Sequence, residues 1–527
     1  MIVNVVGRMF DVAATSQTRR VKLAPRTAVI GARGASYLGL QNIVTLVAQI
    51  VSFGILARMI SVPDMGVLTI LMTALTGLQV ISNLGLGNVI TKLVAENVAQ
   101  GKMGSASAVC YVSLCLNFST SAIVCAAIWL TKFPSGISGL QTSSTIGVIS
   151  LLLVLDIMVG YGNIFGAAIL GLQKYRALST INAVQIISRQ ILIVSFVFLF
   201  KSLAGWMGAW VITDLFVTII TYAYFVRQLG LPSFNFSVKR LLTLSIPLLF
   251  SNIVLFAYNY VDRLFLIGRV DLDALGVYGA ATQAFSAFMA LVGVLPIVLL
   301  PAFAEVYGLG GTDNLRSAVK TASRYVSFTA LPIAFGLLAA ARPAMTLFVG
   351  RRYDAGALPL AELAAFSTAT ILAYPLSQAF IVLNETALYA ITIILPLAVA
   401  VGFALLTVST MGIVAASTAR GIALVLNLVL CIVLLRRKFP VTLDNTAIIK
   451  SFTASITMAA AIWLIQKTVY APVLLPLYMF CGVITYLISL RVLKTVTGED
   501  LNLLRNVAGP HFEGMIQLLS RILLTKK

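Results

Sequence analysis

The chain is dominated by long apolar runs. About fourteen stretches of roughly 20 or more apolar residues follow one another between residues 36 and 490, separated by short basic or Gly/Pro-bearing breaks. A run of about 20 apolar residues is what an α-helix needs to cross a bilayer. Within hydrocarbon, a backbone whose N–H and C=O groups must pair internally adopts helices or closed barrels, and runs of this length are helical. Only 10% of the residues are charged, against about a quarter in water-soluble domains. Soluble, disordered and fibrous classes are excluded, and an all-α polytopic membrane protein of about fourteen transmembrane helices is predicted.

The spans are placed at roughly 36 to 57, 65 to 90, 105 to 130, 143 to 170, 178 to 200, 204 to 226, 241 to 268, 274 to 301, 319 to 341, 357 to 383, 386 to 408, 411 to 435, 448 to 466 and 472 to 490. The 37 Lys+Arg against 17 Asp+Glu give +20, which in a soluble protein would point to nucleic acid. In a membrane protein it reports where the loops lie. With both termini cytoplasmic, the cytoplasmic segments hold 26 of the 37 basic residues and the opposite loops nine. That asymmetry predicts a multi-pass protein of the plasma (cytoplasmic) membrane with an even number of spans and no nucleic-acid partner. The first apolar run starts near Ser36, lasts about 25 residues and lacks a cleavage pattern, so it is not a removable signal. Residues 1–35 and 491–527 mix apolar residues with Lys/Arg, as in Arg505, Arg521, Lys526 and Lys527, and read as interfacial segments attracted to anionic membrane lipids. Short basic elements in the loops, such as Lys92, Lys239 and Arg240, invite the same partner.

Sliding the sequence by 210 residues superposes span 1 on span 7. Seven of the 26 positions from 42 to 67 are identical, and the polar pattern is kept: Asn42, Gln49 and Ser52 meet Asn252, Asn259 and Asp262, while Thr73 and Thr76 meet Gln283 and Ser286. Steps of three and seven residues fall on one helix face, so each set forms a polar stripe that must face protein or water. Interhelical hydrogen bonding is the simpler use of such a stripe; its presence on equivalent helices of both halves favours a cavity. Six spans between repeats keep both halves in the same orientation, related by an axis along the membrane normal. The predicted organisation is a basic segment 1–35, an N-lobe 36–228 with spans 1 to 6, a C-lobe 229–435 with spans 7 to 12, spans 13 and 14 over 436–490, and a basic amphipathic tail 491–527. Pro247, Pro296, Pro332, Pro375 and Pro396 all fall within C-lobe spans, where they bend helices; such bends serve either a moving lobe or static kinks that improve packing.

Ionisable residues inside spans are costly and are functional candidates. Asp156, Arg189, Asp214 and Arg420 lie near mid-span, with Asp262, Arg263 and Glu362 toward the outer ends. Asp156 and Arg189 sit on consecutive spans and offer each other a partner. Arg420 has no acid in its own or adjacent spans, which singles it out as a cavity cation for an anionic ligand. No Gly-x-x-x-x-Gly-Lys-Ser/Thr loop is present, and the one histidine, His511, lies in the tail. The five cysteines sit in apolar runs without paired spacing. No metal site, cofactor, disulfide framework or histidine-based enzyme is therefore expected. Asp271-Leu272-Asp273 has the form of a metal–nucleotide pair but falls in an outward-facing loop by the topology above.

Several segments resemble a known family. Ala57-Arg58-Met59-Ile60-Ser61-Val62-Pro63-Asp64-Met65-Gly66 is similar to the loop between the first two helices of polysaccharide-type flippases, and Gly171-Leu172-Gln173-Lys174-Tyr175-Arg176 resembles their loop after helix 4. Ser245-Ile246-Pro247-Leu248, Val261-Asp262-Arg263, Leu275-Gly276-Val277-Tyr278 and Phe348-Val349-Gly350-Arg351-Arg352-Tyr353 continue the likeness. The family belongs to the multidrug/oligosaccharidyl-lipid/polysaccharide exporter superfamily. The resemblance implies a non-enzymatic flippase that carries a polyprenyl-(pyro)phosphate-linked oligosaccharide from the inner to the outer leaflet by alternating access, with glycan-assembly enzymes as partners. The substrate-binding set expected from the stripes, the mid-span charges and the motif together is Arg420, Arg189, Asp262, Arg263, Asn42, Gln49, Asn252, Asn259 and Gln283, with Asp156, Asp214 and Asp262 for ion coupling. Of these, the Asp262-Arg263 pair comes from the motif, and Arg189 and Arg420 from depth. The competing readings are a cation-coupled multidrug exporter, a peptidoglycan-precursor flippase, and a multispanning glycan polymerase or ligase; span 1 lacks an acid and no sizeable extramembrane loop is present, which disfavours the first and the last.

Overall fold

The computed structural model describes residues 26–131, 145–230 and 238–495, with the backbone alone at 26–40, 42–43, 145–147, 291, 294, 297 and 298. The predicted tail cations, His511 and the side chain of Asn42 lie outside the described residues. In chain order the helices are α1 (Arg26–Met59), α2 (Val62–Ser82), α3 (Leu86–Ala99), α4 (Met103–Leu130), α5 (Thr145–Val159), α6 (Gly162–Gly171), α7 (Tyr175–Phe200), α8 (Leu203–Leu229), α9 (Val238–Leu266), α10 (Leu272–Val292), α11 (Val294–Ala344), α12 (Ala357–Val382), α13 (Thr386–Lys438), α14 (Asn445–Thr468) and α15 (Leu475–Val492). Among the described residues, eleven helices are long and apolar enough to cross a membrane. Each predicted span coincides with a helix or a broken helix.

The breaks have local causes. Span 2, read from sequence as one helix, divides at Asn83–Gly85, where Leu84 and Gly85 take left-handed φ of 47° and 70°. A side chain at Gly85 would run into the α9 backbone at Ser245 and Leu249, so glycine meets two demands there. The 51-residue α11 bends at Gly310 and Gly311, and the 53-residue α13 at Gly412, each through non-helical backbone. Both are long enough for two passes. Asp271 caps α10 by accepting the Ala274 N–H at 2.8 Å, which gives the Asp-x-Asp motif a structural role at a helix start.

The internal repeat extends beyond spans 1 and 7. Helices α2 and α10 each have 21 residues, and both ends are displaced by 210. Gln173 and Asn384, with φ of 58° and 59°, close α6 and α12 in the same way, and the break at Gly412 matches the start of α8.

The chain folds as two compact units. One comprises Leu40–Ala280 with Val408–Ile413; the other comprises Ala281–Thr407 with the described part of Val414–Lys527 and the start of α1. In the first, Leu86, Val89, Ile90, Leu93 and Val94 on α3 pack against Cys110 on α4, Phe165 on α6 and Phe225 on α8. Among apolar helices such contacts stabilise by dispersion and close fit, because lipid chains remove the aqueous driving force. In the same unit α2 and α10 cross backbone to backbone. A Cβ at Gly66 would lie 2.2 Å from the Leu272 oxygen, and one at Gly276 would lie 2.1 Å from the Val62 oxygen. Displacement by 210 turns each contact into the other.

In the second unit Phe335 on α11 packs with Met458 and Ile462 on α14 and with Tyr478 and Tyr486 on α15. Tyr478 ties the α14–α15 connection by donating to the Val469 oxygen at 2.7 Å and accepting the Ala471 N–H at 3.0 Å. Tyr486 donates to the Phe328 oxygen at 2.9 Å. Spans 13 and 14 are thus a hairpin laid on α11.

Candidate functional site

The first unit holds a buried polar network. Arg189 on α7 is ion-paired with Asp214 on α8, donates Nε to the Thr213 hydroxyl at 3.2 Å and lies 4.3 Å from the Trp210 ring centre. Asp214 also accepts from Gln185 at 3.0 Å. Sequence adjacency offered Asp156 as the partner of Arg189; the side chain selected is Asp214, one helix further on. A guanidinium is well matched to that site because its planar fork engages carboxylate, hydroxyl and aromatic face together.

Asp156 on α5 is fully buried and accepts from Gln79 on α2 at 3.3 Å. It remains within electrostatic reach of both Arg189 and Asp214. Its Oδ1 has no hydrogen-bond partner among the described residues. A buried carboxylate oxygen without a partner is costly.

Three hollows run along α9 within this unit. The first, of about 160 Å³, is lined by Asn83, Gly85, Gly87, Asn88, Asn163 and Asn252; it opens where α2 breaks into α3. Asn117 fixes its rim by donating to the Asn83 side-chain oxygen at 3.0 Å. The second, of about 610 Å³, is a groove between α2, α4 and α9 that includes Gly77, Ile81, Ala127, Ile253 and Phe256. The third, of about 390 Å³, gathers Lys92, Lys239 and Arg240. There Glu96 is paired with Arg240 at 2.9 Å and lies 3.9 Å from Lys92, so part of that positive charge is already compensated.

The polar stripes separate into two kinds of residue. Thr45, Ser52, Thr73, Thr76 and Ser286 donate to carbonyls four residues back on their own helices; their hydroxyls therefore place no demand on a water-filled space. Asn259 likewise turns its amide onto the Leu255 oxygen and is exposed. Asn252 lines the first cavity, and Gln41 accepts from Asn182 at 3.5 Å. Gln49 and Gln283 are half-buried. Asp262 is buried and accepts from the Tyr278 hydroxyl at 2.6 Å, while Arg263 lies 5.0 Å from the Tyr260 ring centre.

In the second unit Arg420 is half-buried on α13, 5.3 Å from the Phe285 ring centre. The Ser417 and Thr418 hydroxyls, one turn before it, both donate to Glu362 of α12. A carboxylate thus reaches the same stretch of α13 from a span that is not adjacent in sequence, which the search of flanking spans missed. Asn83, Asn88 and Asn163 were also missed. The signal for the first two was the Asn-Leu-Gly-Leu-Gly-Asn segment at 83–88, a pair of glycines and asparagines able to interrupt a span.

The repeated, broken helices and buried intramembrane polar groups define a polytopic transporter fold. It is shared with solved structures of low sequence identity. A lipid II flippase MurJ in an inward closed conformation superposes with a TM-score of 0.68 at 13% identity, covering 87% of this chain and 98% of that one. A mutant of the Vibrio cholerae MATE transporter VcmN gives 0.53 at 16% identity, over 77% and 99%. A MOP superfamily transporter from Pyrococcus furiosus gives 0.51 at 15% identity, over 82% and 96%. Among curated proteins no sequence matches the chain. The family model described as polysaccharide biosynthesis protein matches residues 32–307, just over half of the chain; the chain belongs to that family.

The family motifs now have physical roles. Ser61 and Asp64 cap α2 reciprocally, the Asp64 N–H donating to the Ser61 hydroxyl at 3.2 Å and that hydroxyl to Asp64 Oδ2 at 2.6 Å. Gly66 and Gly276 make the α2–α10 crossing, and a Cβ at Gly171 would lie 2.7 Å from the Thr91 oxygen.

Proposed function

We propose that the protein carries a polyprenyl-(pyro)phosphate-linked oligosaccharide from the cytoplasmic to the outer leaflet of the plasma membrane by alternating access. The observation that carries this reading is the cavity of Asn83, Asn88, Asn163 and Asn252, set within apolar spans. Side-chain amides donate and accept together, which suits a head rich in hydroxyl groups. The lining has no ionisable side chain, so it offers nothing to a cationic drug. Family membership points the same way.

In this reading the half-buried Arg263, in the unit that holds the cavity, meets the phosphates, offsetting the cost of bringing them into low dielectric. Arg189, held by Asp214, positions the α7–α8 pair, and Asp156 is the coupling acid. Moving two negative charges outward across an inside-negative potential of ~100 mV gains ~2.3 kcal/mol for each. Proteoliposomes loaded with a fluorescent polyprenyl-diphosphate oligosaccharide are therefore expected to show faster transfer between leaflets when an inside-negative potassium-diffusion potential is imposed. Protein-dependent transfer that is absent at every potential would refute the proposal.

A further inference from the structure

The third hollow differs from the other two in being built from charge. Lys92 comes from α3, while Lys239 and Arg240 come from the first turn of α9, and Thr243 and Leu244 complete the lining. These cations stand on a rigid base. Their sequence neighbours Leu93 and Leu241 are fully buried in one core cluster, against which Leu244 also packs. The two helices are thereby fixed to each other, so the charged wall does not have to be assembled when a ligand arrives. Glu96 adds to the mounting by holding Arg240 at 2.9 Å and lying 3.9 Å from Lys92. Three cations against that one carboxylate leave an excess of two positive charges.

Cations that only set membrane topology have to lie on the right side of the bilayer; they need not converge on a hollow from two helices. The repeat does not call for them either. At a displacement of 210, Lys92 corresponds to Ala302, and Lys239-Arg240 corresponds to Val29-Ile30. Position along α9 narrows the ligand further. From Arg240 to Arg263 the helix runs about 35 Å at ~1.5 Å per residue, against ~30 Å for a hydrocarbon core. A cation therefore stands toward each face of the membrane that α9 crosses, and the Arg240 end is the one that the loop charges assign to the cytoplasm. Beyond the hollow, Ile246 and Phe250 on α9 are 48% and 65% exposed, which offers a hydrocarbon chain an apolar flank beside the charged rim. A soluble phosphate compound makes no use of that flank; a lipid-borne one uses both.

Resting on the functional reading above, we infer that this hollow is where the diphosphate of the lipid-linked substrate first docks at the inner face. Its two negative charges match the excess of two positive charges. Arg240 engages phosphate oxygens through its planar fork, and the two lysines act as point charges beside it. The lipid chain lies along the apolar flank of α9, and the glycan remains in water at this stage.

The test measures binding of a polyprenyl-diphosphate disaccharide, radiolabelled in its sugar, to the full-length protein in phosphatidylcholine nanodiscs. Lys239→Gln/Arg240→Gln is expected to weaken binding several-fold. Lys174→Gln/Arg176→Gln removes two exposed cations outside the hollow and is expected to leave binding unchanged. Lys239→Arg/Arg240→Lys keeps the charge and is expected to keep most of the affinity, which separates lost charge from lost structure. Equal weakening by the two neutralised pairs, or none by the first, would overturn the inference. For the component of binding that Lys239→Gln/Arg240→Gln loses, sugar-free polyprenyl diphosphate is expected to displace the probe, whereas phosphatidylglycerol at the same lipid fraction and dissolved inorganic diphosphate are not. Displacement by phosphatidylglycerol would make the hollow a general anionic-lipid contact, and displacement by inorganic diphosphate would make it a site for soluble phosphates; either result overturns the inference. Transfer between leaflets by the wild-type protein is scored separately. If it is absent, the functional reading falls, whereas transfer with undiminished binding in Lys239→Gln/Arg240→Gln removes this inference alone.

Discussion

Gly276→Val is expected to destabilise the folded protein severely, and Gly66→Val to do nearly the same. Each replaces a hydrogen by a side chain whose first carbon would sit 2.1 or 2.2 Å from a backbone carbonyl oxygen of the opposing helix. No rotamer relieves such a contact, because Cβ is fixed by the backbone, so α2 and α10 must separate. Overpacking commonly costs about 1–3 kcal/mol and occasionally more, and a clash with rigid backbone belongs at the upper end. Against a total stability of about 5–15 kcal/mol, that is a large fraction. The control is Gly402→Ala in α13, where a Cβ meets nothing within 4 Å and replacing glycine is worth about 0.5–1 kcal/mol of helix stability. Thermal unfolding of the purified protein in detergent should show a sharply lowered midpoint for both valine variants and no such drop for the control. A Gly276→Val protein as stable as wild type would contradict the crossing.

The second large effect concerns the Arg189–Asp214 pair, whose side chains are 16% and 11% exposed. Asp214→Asn leaves the guanidinium without its counter-charge, and breaking a buried pair from one side typically costs about 3–5 kcal/mol. The double variant Arg189→Leu/Asp214→Leu removes both charges and is expected to regain most of that loss, because apolar replacements of buried pairs are often neutral or stabilising. Thermal unfolding of Arg189→Leu, Asp214→Leu and the double variant gives the coupling directly. Single variants as stable as wild type would show that the pair is not buried as described. Transport by the double variant then decides the role of Arg189: a positioning residue leaves it largely intact, whereas a residue that touches the phosphates does not.

The span pattern, the repeat and the all-helical class were legible in the sequence because hydrophobic periodicity is set by the bilayer, which acts on every span alike. The 210-residue displacement found between spans 1 and 7 also relates the ends of α2 and α10 and the break at Gly412 to the start of α8. What stayed hidden was which side chains meet. Depth identified Arg189, Asp214 and Asp156 as notable, yet pairing depends on helix rotation and neighbour choice, and Asp214 rather than Asp156 faces the guanidinium. Glu362 was placed only toward the outer end of its span, with no contact assigned, and it reaches Ser417 and Thr418. The stripe hydroxyls are uninformative for a simpler reason: a serine or threonine in a helix can satisfy itself on its own backbone, so its presence does not report water. Asparagine is more informative. Asn83, Asn88, Asn163 and Asn252 line one cavity, and only Asn252 was marked by the repeat.

The most direct measurement compares initial transfer rates of three probes in the same proteoliposomes under an inside-negative potential: a polyprenyl-diphosphate oligosaccharide, the same lipid diphosphate without sugar, and a lipophilic cationic dye. Glycan flipping predicts that the first moves fastest, the second lags for want of hydroxyl contacts, and the dye shows no protein-dependent movement. Dye export with both lipid probes stationary would contradict it.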